Sequence, residues 1–287
     1  MKAAVLALLL AAGAWAEPGF RFRDVSAESV ELSENGRPVY VYHHGLMKKA
    51  GVPEDRFRCC YVHPVYTPSG TVLTDDFPED HYHHRGIFWT WPIVIVDGKN
   101  YDAWTLRGLR QEFRRWMARE ATGEKARLAV ENAWSAGGRP VVKETVEIAA
   151  RPASGGSREL EFRLTFEAHG TPVELRGEPA ENKGYGGFCV RFAPREKTAI
   201  TTGAGREAGD SDMAPHAWAR LEALFGDRAA GLRIDIDLSN PGFPNGWCLR
   251  HYGFLGVNFP GLASHVLRPD QPLELNYRVT VFEPGLR

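Results

Sequence analysis

The stretch His63–Trp91, HPVYTPSGTVLTDDFPEDHYHHRGIFWTW, gathers His63, His81, His83, His84, Asp75, Asp76, Glu79, Asp80 and Arg85 in one short segment. Six of the ten histidines (His43, His44, His63, His81, His83 and His84) fall between residues 43 and 84. Histidine changes charge near neutral pH and is the commonest metal ligand, so the segment can move protons or hold an ion. In acid–base work, one of the acidic side chains would orient an imidazole, and the planar fork of Arg85 would hold an oxyanion or a substrate carboxylate. In metal work, His81 and His83 on one face of a strand would lie ~6.6 Å apart at Cα, from a rise of ~3.3 Å per residue. That spacing reaches one divalent ion at Zn–N distances of ~2.0–2.1 Å, with His63, Asp75 or Asp76 completing a three-ligand site. A charged loop that only caps turns is the third reading, and residue types alone leave all three open.

Aromatic side chains accompany the polar ones. Trp89, Trp91, Trp104, Trp247, Tyr66, Tyr82, Tyr185 and Tyr252 lie in or near the polar motifs, and aromatic faces beside hydrogen-bonding groups suit sugar rings, although core packing is the commoner fate of a tryptophan. Glu181-Asn182-Lys183-Gly184-Tyr185-Gly186-Gly187-Phe188 is a turn-rich polar segment entering a strand, and Asn240-Pro241-Gly242-Phe243-Pro244-Asn245-Gly246-Trp247 is a rigid loop preceding Arg250-His251-Tyr252-Gly253. The expected catalytic set is therefore His63, His81, His83, His84, Arg85, Tyr185 and His251. The expected substrate-binding set is Asp75, Asp76, Trp89, Trp104, Asn182, Trp247 and Arg250. His169, His216 and His265 are read as surface residues.

These groups must be carried by strands. Leu160, Phe162, Leu164 and Phe166 alternate with polar residues, as do Leu232, Ile234, Ile236 and Leu238, and again Leu273, Leu275, Tyr277, Val279 and Val281. Period two with one wet face marks antiparallel sheets. Weaker strands are expected at 20–32, 38–42, 57–66, 86–96, 125–134, 141–148 and 186–192, with an Asp97-Gly98 hairpin turn. Helical signal is thin: 106–117 reads as a basic helix or an edge strand, and Trp218, Leu221, Leu224 and Phe225 stand at helical spacing. Loops are expected at 152–157 and 202–211. With no repeat and no linker, the expectation is an all-β chain with one large antiparallel β-sandwich domain over residues 17–287.

Residues 1–16 have the form of a secretory signal peptide: Lys2, an apolar run Ala3–Ala12, and Ala14-Trp15-Ala16 before Glu17. Export to the periplasm or the extracellular space is expected. The apolar run is short of the ~20 residues of a membrane span. Removing residues 1–16 takes away Lys2 and no acid, leaving 34 basic against 36 acidic side chains, a net charge of −2 that favours neither nucleic acid nor an anionic membrane. Adjacent Cys59 and Cys60 would point to opposite faces of a strand. Cys189 and Cys248 are open to pairing with each other or with one of these, or all four are small buried hydrophobes. Serine-hydrolase, P-loop, dinucleotide-binding and zincin signatures are absent from the sequence.

The His63–Trp91 pattern, with His-Pro, Thr-x-x-Gly and Asp-His-x-His-His-Arg-Gly, resembles a bacterial secreted family labelled "methane oxygenase PmoA", a domain of unknown function. Asp102-Ala103-Trp104, Tyr185-Gly186-Gly187-Phe188, Ser239-Asn240-Pro241, Tyr252-Gly253-Phe254 and the closing Leu273-x-Leu275-x-Tyr277-Arg278-Val279 are similar to it in the same order. The departures are Asp237-Leu238 and Trp247-Cys248-Leu249-Arg250, where that family has a His-Pro and a Trp-His-x-Arg. The layout is similar to the supersandwich of galactose mutarotases and polysaccharide lyases. The resulting expectation is an exported carbohydrate-active enzyme that transfers protons on a sugar or oxidised glycoside, as an epimerase or lyase does. A glycan- or partner-binding module and a metal-dependent oxygenase are the alternatives, and the cofactor is either none or one divalent metal held by His81 and His83.

Overall fold

A computed structural model describes residues 18–284, so the signal peptide expected at 1–16 lies outside the described residues. Two nine-stranded sheets and a four-stranded one account for the strands, and every strand-to-strand pairing between them is antiparallel. The first sheet runs Phe20–Ser26, Ser29–Glu34, Arg37–His43, Tyr61–Val65, Ile87–Thr90, Gly187–Arg191, Phe254–Asn258, Gly246–Arg250 and Ser211–Pro215. The second runs Gly205–Arg206, Glu196–Thr202, Trp218–Phe225, Arg228–Ile236, Leu273–Phe282, Ser157–Ala168, Arg139–Ala150, Ala126–Ala136 and Leu109–Ala121. The small sheet joins Ser264–Leu267, Val173–Arg176, Ile93–Val96 and Lys99–Tyr101. The all-β sandwich is the observed fold, and the only helical turns among the described residues are the 3-10 turns Glu54–Arg56 and Ala180–Asn182.

The alternation read from the sequence becomes the two faces of each sheet. Along Ser157–Ala168, Arg158, Leu160, Phe162, Leu164, Phe166 and Ala168 are buried while their neighbours reach solvent. One apolar cluster fills the sandwich, drawing on Val62, Ile87, Trp89, Phe188 and Val190 from the first sheet and Phe162, Phe166, Leu232 and Val279 from the second. Three expectations shift. Trp218–Phe225 is a strand, because the buried positions are Ala219, Leu221, Ala223 and Phe225, and two small alanines had masked the period. The basic stretch near Leu106 is a 13-residue edge strand, Leu109–Ala121. The expected strand at 86–96 divides at Trp91-Pro92 into strands of different sheets.

The central strands of the first sheet, Ile87–Thr90, Gly187–Arg191 and Phe254–Asn258, are buried on both faces. One face meets the sandwich core, and the other lies under the segments that connect the strands. On that outer face Tyr61, Phe88, Cys189, Cys248 and Phe254 form a second apolar cluster with Trp104, against which Tyr185 and Met47 pack.

Glu144 is a fully buried carboxyl inside the sandwich. Glu144 accepts hydrogen bonds from Gln111, Asn132 and the Trp134 indole at 3.0, 2.7 and 2.6 Å. Glu144→Leu strands these donors, and urea unfolding will show a loss of about 3 kcal/mol or more, since each orphaned buried group costs ~1–3 kcal/mol. Glu147→Leu, which breaks only the solvent-facing pair with Arg127, will change stability by less than ~1 kcal/mol.

Candidate functional site

The segment between Tyr61–Val65 and Ile87–Thr90 is fixed to the outer face at several points. Leu73 N–H donates to the Val65 carbonyl at 2.9 Å, Asp75 N–H to Arg191 at 3.0 Å, and Ala193 N–H to Leu73 at 3.0 Å. Gly86 allows the return, because a Cβ there would collide with the Val62 carbonyl. Two successive turns follow Pro78: His81 N–H donates to the Pro78 carbonyl at 3.1 Å and His84 N–H to His81 at 2.8 Å. His81 and His83 therefore lie on turns and not on one strand face.

The turns converge three imidazoles. His81 stacks on His84 with ring centroids 4.6 Å apart and planes within 5°, and on Tyr252 at 5.3 Å and 12°. His84 continues the stack onto Phe254 at 4.9 Å. His83 stands edge-on to both, 5.6 Å from His81 and 4.6 Å from His84. Trp104 closes this group at 6.0 Å from His83 and 5.8 Å from His84, and Tyr185 lies 4.6 Å beyond Trp104. Backbone bonds from Ala103 and Trp104 to the Trp91 carbonyl, and from buried Arg58 to the carbonyls of Ala103 and Trp104, hold the indole there.

His81, with 37% of its side chain accessible, and Tyr252, 40% exposed, are accessible members of this group, and His81 Nδ1 lies 3.0 Å from Asp80. Arg191 binds both carboxylate oxygens of Asp80 at 2.8 and 2.9 Å and places its guanidinium 4.9 Å from the Tyr252 ring. Burial disfavours the Asp80 carboxylate, but the hydrogen bonds from His81 and Arg191 outweigh it and hold the carboxyl below its usual range. His83 and His84 are kept neutral, chiefly by burial and then by neighbouring histidines, His83 down to about 3 and His84 well below its ordinary value. Burial, aided by Glu178, pushes the Tyr185 phenol up to about 12, so it stays protonated.

The other expected site residues go elsewhere. His63 hydrogen-bonds Thr74 at 3.1 Å and has His43 as its ring neighbour at 6.4 Å, apart from the stack. Arg85 is 0% exposed and binds the carbonyls of Tyr82, His84 and Arg56, so its fork is spent on the fold and not offered to a substrate. Asp76 joins it, accepting from the Tyr61 hydroxyl at 2.8 Å and lying 3.4 Å from Arg85; burial raises its carboxyl to about 6 despite Arg85. Half-buried Asp75 accepts the Asp76 N–H. Trp89 and Trp247 face the sandwich core, because their strand positions carry the other parity from Phe88 and Cys248. Asn182 is exposed on a 3-10 turn. Arg250 pairs with Asp212, and His251 with Asp210 at 3.1 Å, at the rim of the same face. His216, read as a surface residue, is half-buried against Glu207.

Sequence reasoning missed Arg58, Arg191 and Phe254. A charged residue closing the otherwise apolar strand Gly187–Arg191 was the available signal, since a buried cation needs partners. Among the described residues no three His, Cys, Asp or Glu side chains come together to hold a metal, so His81 and His83 lack the third ligand expected for them. Of the two readings left open for the cysteines, the structure has the second, because all four are buried free thiols.

The sequence profile described as "Family of unknown function (DUF6807)" matches residues 29–286. The methane-oxygenase label finds no support in that description. No curated protein is significantly similar to the chain. Among solved structures, a GalM/aldose epimerase homologue from C. elegans aligns at 9% identity and TM-score 0.39, covering 92% of this chain and 99% of that one. A galactose mutarotase related enzyme from Lactobacillus acidophilus aligns at 6% identity and TM-score 0.37, covering 93% and 99%. Heparinase III aligns at 12% identity and TM-score 0.37, covering 93% of this chain and 35% of that one.

The buried neutral histidines set an acid limit. Burial is the leading cause that lowers His43 to about 4 and His63 and His83 to about 3, from 6.5. Their folded pKa values lie below the unfolded ones, so their stabilisation is complete above pH 6.5 and is lost as pH falls toward 4 and 3. Asp76 runs the other way, losing stabilisation as pH rises from 3.8 to about 6. With His43, His63, His83 and His84 all lowered against it, the histidines dominate at ~1.4 kcal/mol per tenfold change in proton affinity. Urea midpoints will fall steeply from pH 6.5 to about 4, and His63→Gln will make that slope shallower. A flat midpoint across this range contradicts the assignment.

Proposed function

Because this chain belongs to DUF6807, a family of unknown function, we propose from its own side chains that it is an exported carbohydrate-active enzyme. The reaction is proton transfer at a sugar carbon beside a carbonyl or carboxylate, giving epimerisation or β-elimination. The observation that carries this reading is the Asp80–His81 pair, accessible to solvent with the His81 ring stacked between Tyr252 and His84. With Asp80 3.0 Å from Nδ1, the carboxylate charge favours the proton on that nitrogen and leaves Nε2 free to take one, as a carboxylate-oriented general base requires. Asp80 is itself held ionised by Arg191, which keeps the tautomer fixed.

The surroundings suit a polar ring with developing negative charge. Arg58 and Arg191 are buried beside the imidazoles and each has guanidinium nitrogens without a hydrogen-bond partner, which supports their role in stabilising an enolate-like intermediate. Arg85 takes no part in this. Tyr252, 40% exposed, offers a ring for the apolar side of a sugar, and protonated Tyr185 is a donor for a leaving oxygen. The signal-peptide form of residues 1–16 supports export, where glycans are met.

Incubation with panels of plain, keto- and uronate-containing glycosides, followed by mass spectrometry and NMR, tests the reading. Turnover is expected on a sugar with an acidified C–H. His81→Gln and Asp80→Asn will lower kcat by ~10²–10⁴ with KM little changed, the usual range for a general base. Tyr252→Ala will chiefly raise KM. Glycan binding that persists without turnover, unaffected by His81→Gln, would identify a binding module instead.

A further inference from the structure

Arg58 stands between two environments. Its guanidinium reaches the Ala103 and Trp104 carbonyls. It also lines a cavity of about 570 Å³ whose wall includes His44, Phe57, Cys59, Gln111 and Phe113. Adjacent cysteines on a regular strand would point apart, but Cys60 adopts φ 63°, in the left-handed region. Both thiols are thereby brought to one side, with Sγ atoms 3.2 Å apart, and Cys59 Sγ lies 3.0 Å from the Gln111 carbonyl oxygen.

We propose that Cys59 and Cys60 form a reversible dithiol–disulfide couple, oxidised by small disulfide molecules that enter through this cavity. A disulfide needs sulfurs ~2.05 Å apart, so closure takes roughly 1 Å of sulfur movement. Neighbouring Cα atoms lie ~3.8 Å apart, below the ~4.4–6.8 Å usual across a disulfide. The bridge is therefore strained and readily reduced, as labile regulatory bridges are. The wall position makes Cys59 the attacking thiol. The hydrogen bond from Cys60, with help from Phe113 and Arg58, favours its thiolate, whereas burial pushes Cys60 up.

In the first step the Cys59 thiolate attacks one sulfur of the small disulfide, breaking its S–S bond, forming a mixed disulfide and releasing one small thiolate. That thiolate takes the Cys60 proton. The Cys60 thiolate then attacks the Cys59 sulfur, closing the vicinal bridge and releasing the second small thiolate, which is protonated by solvent. The protein loses two electrons and the small disulfide gains them; excess thiol reverses both steps. Closure also removes the Cys59 contact with Gln111 beside Arg58, the residue that holds Trp104.

The test uses the full mature chain equilibrated with glutathione disulfide, then denatured and alkylated. Trypsin cuts after Arg58 and Arg85 and releases one peptide, Cys59–Arg85, that contains these two cysteines and no other. Mass spectrometry will find that peptide lighter by two hydrogens and without either label, and dithiothreitol will restore both labels. Cys60→Ser will retain glutathione on Cys59. Complete labelling of the peptide after oxidation of natively folded wild type would overturn the proposal. So would a Cys189–Cys248 bridge formed in its place.

Discussion

A single buried guanidinium organises the candidate site. Arg85 lies over the Phe77 ring at 3.6 Å, pairs with Asp76, and binds carbonyls on both sides of the histidine turns and on the 3-10 turn at Arg56. A charge without solvent exposure is tolerated only when it is paired and hydrogen-bonded. That requirement couples the segments: if any one moves, the cation loses a partner, at a cost of ~3–5 kcal/mol for a broken buried pair. The carbonyls of Tyr82 and His84 are thus fixed, and the imidazoles between and beside them inherit the fixed geometry.

Rigid backbone alone would not give chemistry. The three neighbouring imidazoles differ because their environments differ. His83 and His84 are enclosed by rings and arginines and stay uncharged, while His81 sits at the rim with a carboxylate partner. Of the three, His81 combines solvent access with a nearby carboxylate, and the other two are neutral walls that still carry hydrogen-bonding nitrogens. The same partition holds for the arginines. Arg85 commits both terminal nitrogens to carbonyls and keeps Nε 3.4 Å from Asp76, whereas Arg58 and Arg191 each retain two guanidinium nitrogens without a hydrogen-bond partner.

The outer face of the first sheet supplies this environment through strand parity. Phe88 and Cys189, opposite each other across two strands, face the site, while Ile87, Trp89, Phe188 and Val190 face the second sheet. A shift of one residue in either strand would exchange the two sets. Two clusters on opposite sides of one sheet give the register a strong preference, since a slip would place Arg191 in the sandwich core.

Local sequence determined the sheets and the candidate segment. Alternation of large apolar residues with charged ones fixes which strands form and which face is wet, and the density of His, Asp and Arg between His63 and Trp91 marks where polar groups must be covered. Those signals need only nearest neighbours and a period. The fate of each polar group depended on partners far along the chain. Arg85 was spent on carbonyls, His63 turned toward His43 and Thr74, and Trp89 and Trp247 entered the core. Asp80 acquired Arg191, 111 residues away. Parity and distant partners follow from sheet register and from the closure of connecting segments over one face, and burial then sets each proton affinity. Neither is encoded within a window of sequence, so only the tertiary structure decided which histidine was left accessible beside a carboxylate.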